Sequence, residues 1–367
     1  MELSSRLKSY LWPRNGWRRG GLIAGGVMVI FAAAATASQK PDGSGAAVRD
    51  VEVTARPVRR FLKSGAEAQV FGSLRFIGGL VLDGNDKAFG GYSGLELSPD
   101  GKSLLAVSDA GTWMRAELVS VRGVPAGLIR ARIGPLLALR GRRLGRVQDR
   151  DAEALRLIKG TLKDGQALVA FERNQRIGTF DIVKGELKAP VSYLRPPRRI
   201  PFNKGLESVA QVRAGKYKGS VLSFAERSID PNGHHRGWLW VKGKSRAVAL
   251  TDVGGFNITD IAFGPAGALY VLERRFRWSE GVKMRVRRIE GAAIKPGAVL
   301  DGRVLMRADM RHEIDNMEGL AVHRDTRRRL ILTLISDDNF NSFLQRTLLL
   351  QFEAIQKKPA KASKDSS

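Results

Sequence analysis

Glu207-Ser208-Val209-Ala210, then a turn, then Ser220-Val221-Leu222-Ser223-Phe224-Ala225-Glu226-Arg227: this stretch decides the fold, because it recurs. Glu153-Ala154-Leu155-Arg156-Leu157 leads in the same way to Ala167-Leu168-Val169-Ala170-Phe171-Glu172-Arg173. Asp260-Ile261-Ala262-Phe263 leads across Gly264-Pro265-Ala266-Gly267 to Leu269-Tyr270-Val271-Leu272-Glu273-Arg274. A fourth copy runs from Glu318-Gly319-Leu320 to Leu330–Asp338, and the most diverged runs from Ser93-Gly94-Leu95 through Ser98-Pro99-Asp100-Gly101 to Leu104–Asp109. Each copy is an apolar run, a Gly/Pro/Asp turn, a second β-rich apolar run and a polar or ionic end, the pattern of an antiparallel hairpin. The copies start 53 to 60 residues apart, a spacing that suits one four-stranded blade each. The expected fold is all-β: a single β-propeller of five or six blades, closed by N- and C-terminal strands.

Outward from the repeats, Ser73–Leu82 is a further strand, expected to supply the outer strand of the last blade beside a C-terminal strand at Thr347–Phe352. Closing the ring with both termini removes open sheet edges. The propeller domain is expected over 66–354, and 38–65 is a linker with a candidate first strand. Residues 1–19 are basic, 20–37 carry no charge, and Ala35-Thr36-Ala37 is a small-x-small site. This pattern predicts a signal peptide over 1–37, with an N-terminal anchor as the alternative, and a periplasmic or secreted bacterial protein. The Lys-rich segment 355–367 is expected to be a disordered tail.

Lys and Arg number 62 against 36 Asp and Glu, a formal charge of +26, and cysteine is absent. Disulfides, thiol nucleophiles and thiolate metal sites are therefore excluded. The excess of positive charge favours an anionic small-molecule substrate or peripheral contact with an anionic cell envelope; nucleic acid is not the expected partner, and a monomer is. Gly91-Tyr92-Ser93-Gly94-Leu95 misses the nucleophile-elbow pattern at Leu95, and His234, His235, His312 and His323 lack metal-ligand spacing.

The chemistry is expected at one mouth of the channel. First strands of propeller blades line the channel, so Glu153, Glu207, Asp260 and Glu318 should converge there. An antiparallel hairpin brings its two ends together, which adds Glu172-Arg173, Glu226-Arg227, Glu273-Arg274, Asp109 and Asp337-Asp338-Asn339. Converging carboxylates raise one another's pKa unless a cation neutralises them. One reading places calcium in the channel, with Asn257, Asn316 or Asn339 as neutral oxygen ligands; the plainer one is a structural ring of acids paired with arginines.

The same residues carry a resemblance. Gly78-Gly79-Leu80-Val81-Leu82, Phe89-Gly90-Gly91-Tyr92-Ser93-Gly94-Leu95, Asp151-Ala152-Glu153, Phe171-Glu172-Arg173, Asn203-Lys204-Gly205-Leu206-Glu207-Ser208, Asn316-Met317-Glu318-Gly319-Leu320 and Ser336-Asp337-Asp338-Asn339 follow one another as in the phytase-like family, described by its esterase-like activity. The resemblance spans about 70–353 and implies a propeller hydrolase of phosphate or carboxylate esters with acids holding calcium; it supplies no nucleophile. The positions it points to are Glu153, Glu207, Glu318, Glu172 and Glu226 for catalysis. Arg173, Arg227, Arg274 and Lys204 would grip an anionic substrate, and Asp260, Asp337, Asp338 and Asn339 would hold the metal. The first repeat departs from the pattern, with Ser93 in place of an acid. A gluconolactonase-like lactone hydrolase and a non-catalytic envelope-binding propeller are the alternatives.

Overall fold

The computed structural model describes residues 47–197, 200 and 204–355. The expected signal peptide, most of the linker and the tail from 356 lie outside them. The chain enters through β1 (Arg49–Val51), β2 (Val53–Val58), β3 (Val70–Phe71) and β4 (Leu74–Gly84). Blade one is β5 (Tyr92–Leu97), β6 (Ser103–Ser108), β7 (Thr112–Val121) and β8 (Val124–Pro135). A single helical turn at Val147–Arg150 precedes blade two, which is β9 (Ala152–Gly160), β10 (Gly165–Phe171), β11 (Arg176–Val183) and β12 (Glu186–Leu194). Blade three is β13 (Ala210–Gln211), β14 (Val221–Ile229), β15 (His234–Val241) and β16 (Lys244–Thr251). Blade four is β17 (Asn257–Phe263), β18 (Leu269–Arg277), β19 (Gly281–Ile289) and β21 (Arg303–Ala308); on the way, β20 (Val299–Leu300) adds a parallel edge to β16. Blade five is β22 (Asn316–Arg324), β23 (Leu330–Asp337) and β24 (Thr347–Ala354), with β4 as its fourth strand.

This is a five-bladed propeller. Its ring closes as the repeats predict: β4 pairs antiparallel with β24, from Thr347 opposite Leu82 to Ala354 opposite Leu74. The candidate first strand in 38–65 is two strands, β1 capping blade one and β2 capping blade five. Each inner hairpin turns where the sequence supplies the turn chemistry. In blade one Ser98 Oγ bonds Asp100 (2.6 Å), the Gly101 N–H closes on the Ser98 carbonyl (2.8 Å), and Gly101 takes a φ of 72° that favours glycine.

The core is not central but lies between blades. Five apolar clusters each join two neighbours: blades one and two, two and three, three and four, four and five, and five and one. Sheets facing each other in this way bury both sides of the inner strands. That is why Leu330–Ile335 reads as hydrophobic sequence broken only by Thr333 and is buried along nearly its whole length. Trp238 and Trp240 belong to the cluster between blades two and three.

Inside the ring, Arg156 of β9 spans the channel. Its guanidinium donates to the carbonyls of Leu95 (2.9 Å), Ile261 (2.8 Å) and Leu320 (2.7 Å), from blades one, four and five, and to Asp260 Oδ2 at 2.6 Å. Asp260 also accepts the N–H groups of Ile261 and Leu320, both at 2.8 Å.

Candidate functional site: a carboxylate ring at the channel mouth

Each inner strand carries one extra residue at its mouth end where it meets its partner. The pairing of β5 with β6 skips Ser93, that of β9 with β10 skips Glu153, that of β17 with β18 skips Thr259, and that of β22 with β23 skips Glu318. In blade three Leu206 bridges Ala225 and the Glu207 N–H reaches the Phe224 carbonyl (3.3 Å), which puts Glu207 in the same place. A bulge of this kind re-aims one side chain out of the alternating pattern. Five bulges therefore present one ring: Ser93, Glu153, Glu207, Thr259 and Glu318. A residue of each second strand at the mouth, in the strand or just past it, forms a second ring beside it. These are Asp109, Glu172 and Glu226, bonded through their N–H groups to the Gly91, Asp151 and Gly205 carbonyls, with Arg274 opposite Asn257 and Asp337 opposite Asn316.

The rings touch. Glu318 accepts Ser93 Oγ (3.1 Å) and Asn316 Nδ2 (2.8 Å), and Arg274 lies 3.4 Å from it. Glu226 accepts Asn257 Nδ2 (2.8 Å) and faces Arg274 at 3.7 Å. Arg173 lies 2.9 Å from Asp151, and the Gly205 N–H reaches Glu172 at 3.3 Å. Two sets of three carboxylates offer oxygens within 4.8 Å of one another: Asp151, Glu153 and Glu172, and Glu172, Glu207 and Glu226. Glu172 is common to both.

Electrostatics mark this cluster as short of positive charge. Burial and the neighbouring Asp151 push Glu172 up to about 7. Burial, then the charges of Glu153, Glu226, Glu172 and Glu318, hold Glu207 well above the usual carboxylate range. Among the described residues the Glu207 carboxylate has no hydrogen-bond or ion-pair partner. Burial also raises Glu226 against the pull of Arg274, and raises Asp337, with Asp109 and Glu318 adding to the effect. An all-oxygen donor set with one unpartnered buried carboxylate fits a hard divalent cation. The cluster could hold a metal ion.

Of the residues expected in the site, Glu153, Glu172, Glu207, Glu226, Glu318, Arg173, Arg274 and Asp337 meet here. Asp260 does not. It stands one residue past the bulge, which Thr259 occupies, so its side chain is directed to Arg156 deeper in the channel. The Glu273-Arg274 pair is displaced by one residue for the same reason. Arg274 takes the place of Glu172 and Glu226, while Glu273 is buried between Arg285 (2.5 Å) and Arg287 (2.7 Å). Asp338 is a loop clamp: it accepts the Gly91 and Phe340 N–H groups (2.9 and 3.1 Å) and Thr347 Oγ1 (2.9 Å). Gly90 beside it, at φ 126°, has no room for a Cβ, which would meet Asp338 Oδ1 at 2.6 Å. Asn339 is exposed and bonds Gln345 (3.1 Å), and Lys204 and Arg227 are exposed as well. Asp151 is the residue the repeat comparison left out. Its signal was its place, two residues before Glu153, where the hairpin must bring it against Glu172.

Over residues 87–340 the sequence matches the phytase-like family, described as esterase-like activity of phytase. The chain belongs to this family. No curated protein sequence matches it. Among solved structures, a candidate gluconolactonase is 13% identical with a TM-score of 0.37, covering 83% of this chain and all of its own. The endo-arabinase of Bacteroides thetaiotaomicron is 12% identical with a TM-score of 0.45, covering 80% of this chain and all of its own.

Proposed function

We propose that this phytase-like propeller is a hydrolase of phosphate or carboxylate esters that works with calcium at the channel mouth. The observation that carries the proposal is the pair of carboxylate triads sharing Glu172, with Arg173 and Arg274 beside them. Asp151, Glu153, Glu172, Glu207 and Glu226 would hold the cation. When bound, it supplies positive charge that polarises an ester oxygen. Arg173 and Arg274 are the planar, permanently charged groups suited to orienting an anionic substrate. The basic surface expected from the formal charge of +26 would raise the local concentration of an anion.

The test is an assay of the purified chain on generic phosphomonoesters, carboxylate esters and lactones, with calcium or with chelator. Calcium-dependent turnover of an ester, lost in Glu172→Gln, is the expected result. Turnover confined to lactones would move the proposal to lactone hydrolysis. No turnover, together with saturable binding of an envelope component, would replace it with a binding propeller. We further propose that the chain is exported and monomeric, with its mature N-terminus at Ser38. N-terminal sequencing and sedimentation of envelope-derived protein check both, and an intact Met1 in a membrane fraction would favour the anchor.

A further inference from the structure

At the opposite end of blades four and five from the acids lies a cleft of about 490 Å³. On blade four, Tyr270 pairs with Arg288 across β18 and β19, and Arg288 pairs with Arg303 across β19 and β21. Residues directly opposite in antiparallel strands share a face, so Tyr270, Arg288 and Arg303 form one transverse row. Arg324 at the end of β22 faces it from blade five, and all four residues line the cleft. The rest of the wall is largely apolar, with Leu305 and Leu330, and no acidic residue lines it among those described.

Charge in this cleft is unbalanced. Glu290 pairs with Arg288 from outside the cleft. The Arg303 side chain has no hydrogen bond and no ion pair among the described residues, Glu290 acting on it only at longer range, and the Arg324 side chain donates only to the Arg328 carbonyl (2.9 Å). Two arginines directly opposite each other are destabilising, and a third faces them. Tyr270 is buried, at 4% exposure, directly opposite Arg288. Three guanidiniums against one carboxylate leave room for a doubly charged oxyanion, which guanidinium forks bind in two-point contacts. The volume lies in the range of small-molecule sites.

We propose that this cleft binds an organic phosphate, its monoester head on Arg288, Arg303, Arg324 and the Tyr270 hydroxyl and its apolar body against Leu305 and Leu330. The site is separate from the carboxylate ring and does not depend on its chemistry. The head could belong to a soluble phosphate ester or to an anionic lipid, and the same experiment distinguishes them.

Calorimetric titration of the purified chain with hexyl phosphate and with inorganic phosphate, in chelator so that the channel mouth holds no calcium, is run beside co-sedimentation with phosphatidylcholine vesicles, with and without phosphatidic acid. The expected result is one saturable hexyl phosphate site, at least tenfold tighter than inorganic phosphate. It should weaken at least tenfold in Arg303→Gln and in Arg324→Gln and be unchanged in Glu207→Gln. Co-sedimentation that requires phosphatidic acid and is lost in the same two variants assigns the head to lipid; its absence assigns a soluble ester. Arg303→Gln should melt no lower than the parent without phosphate, because a like-charge contact is removed, so loss of binding is read on folded protein. No saturable binding in either format, binding unchanged in both arginine variants, or binding abolished by Glu207→Gln would overturn the proposal.

Discussion

Arg274 occupies in blade four the position that Glu226 occupies in blade three, and its guanidinium lies 3.7 Å from that carboxylate and 3.4 Å from Glu318. One blade thus contributes a cation to a ring in which Asp109, Glu172, Glu226 and Asp337 are acids. The substitution is local compensation. A single half-buried positive charge sits between two carboxylates that no other arginine reaches within ion-pair distance among the described residues.

Arg274→Gln should therefore lower the stability of cation-free protein by about 1–3 kcal/mol, between the scales for exposed and for buried ion pairs. Added calcium should restore much of the loss and bind more tightly than in the parent, because a competing positive charge is gone. Thermal melts in chelator and across a calcium titration measure both. An unchanged melting temperature in chelator would show that Arg274 does not offset the acids.

Glu207→Gln should act in the opposite direction. Glu207 is buried with four acids acting on it and no partner of its own, so an amide removes repulsion without stranding a cation. Arg227, its expected companion, is exposed. The variant should melt higher than the parent in chelator and lose most of the calcium-dependent gain, since a ligand bound only to the folded state stabilises it. Melts of the two proteins with and without calcium decide this, and a variant that melts several degrees lower in chelator would contradict it.

These contrasts show where the sequence was legible and where it was not. Hairpin repeats and the strand at 74–84 announce the propeller and its closure, because buried strands and tight turns each leave a local pattern. The position of each functional side chain depends on a one-residue bulge, and a bulge leaves almost no pattern. Aligning the blades by their acids put Asp260 beside Glu207. Aligning them by the aliphatic residue two places after the bulge would have found Thr259, since Leu95, Leu155, Val209, Ile261 and Leu320 are all fully buried. Asp338 shows a different limit. Its carboxylate is consumed by loop N–H groups, and nothing in Asp337-Asp338-Asn339 distinguishes a clamp from a ligand.

The raised acids also predict how stability varies with pH. Glu172 titrates at about 7 in the folded chain against an ordinary value of 4.5. Between those values the folded chain keeps a proton that the unfolded chain has released, so stability falls as pH rises through that window and stays lower above it. Glu207, Glu226 and Asp337 act in the same direction. His323, pushed down to about 4 by burial, acts the other way, costing stability as pH falls from about 6.5. Cation-free protein should thus be most stable in mildly acidic buffer. The calcium-dependent gain should be small at pH 5 and large at pH 8, because binding needs the carboxylates ionised. Melts from pH 5 to 8, with and without calcium, check the sign, and Glu172→Gln should flatten the decline.

The Arg156–Asp260 pair separates what holds the channel together from what works at its mouth. Arg156→Met would leave the Leu95, Ile261 and Leu320 carbonyls without their shared donor and Asp260 without its cation, at a cost of about 3–5 kcal/mol. Burial already pushes Asp260 up to about 7 despite Arg156. Without the guanidinium it should take up a proton more readily still, so the loss should be smaller at pH 5 than at pH 8. Adding Asp260→Asn removes the stranded charge and should recover part of the stability. In both variants the calcium-dependent rise in melting temperature should match that of the parent, because neither side chain belongs to the carboxylate triads. Denaturation at the two pH values, repeated with calcium, measures each quantity. If Asp260→Asn alone removed the calcium response while Arg156→Met preserved it, Asp260 would be a cation ligand after all, and the division between plug and mouth would fail.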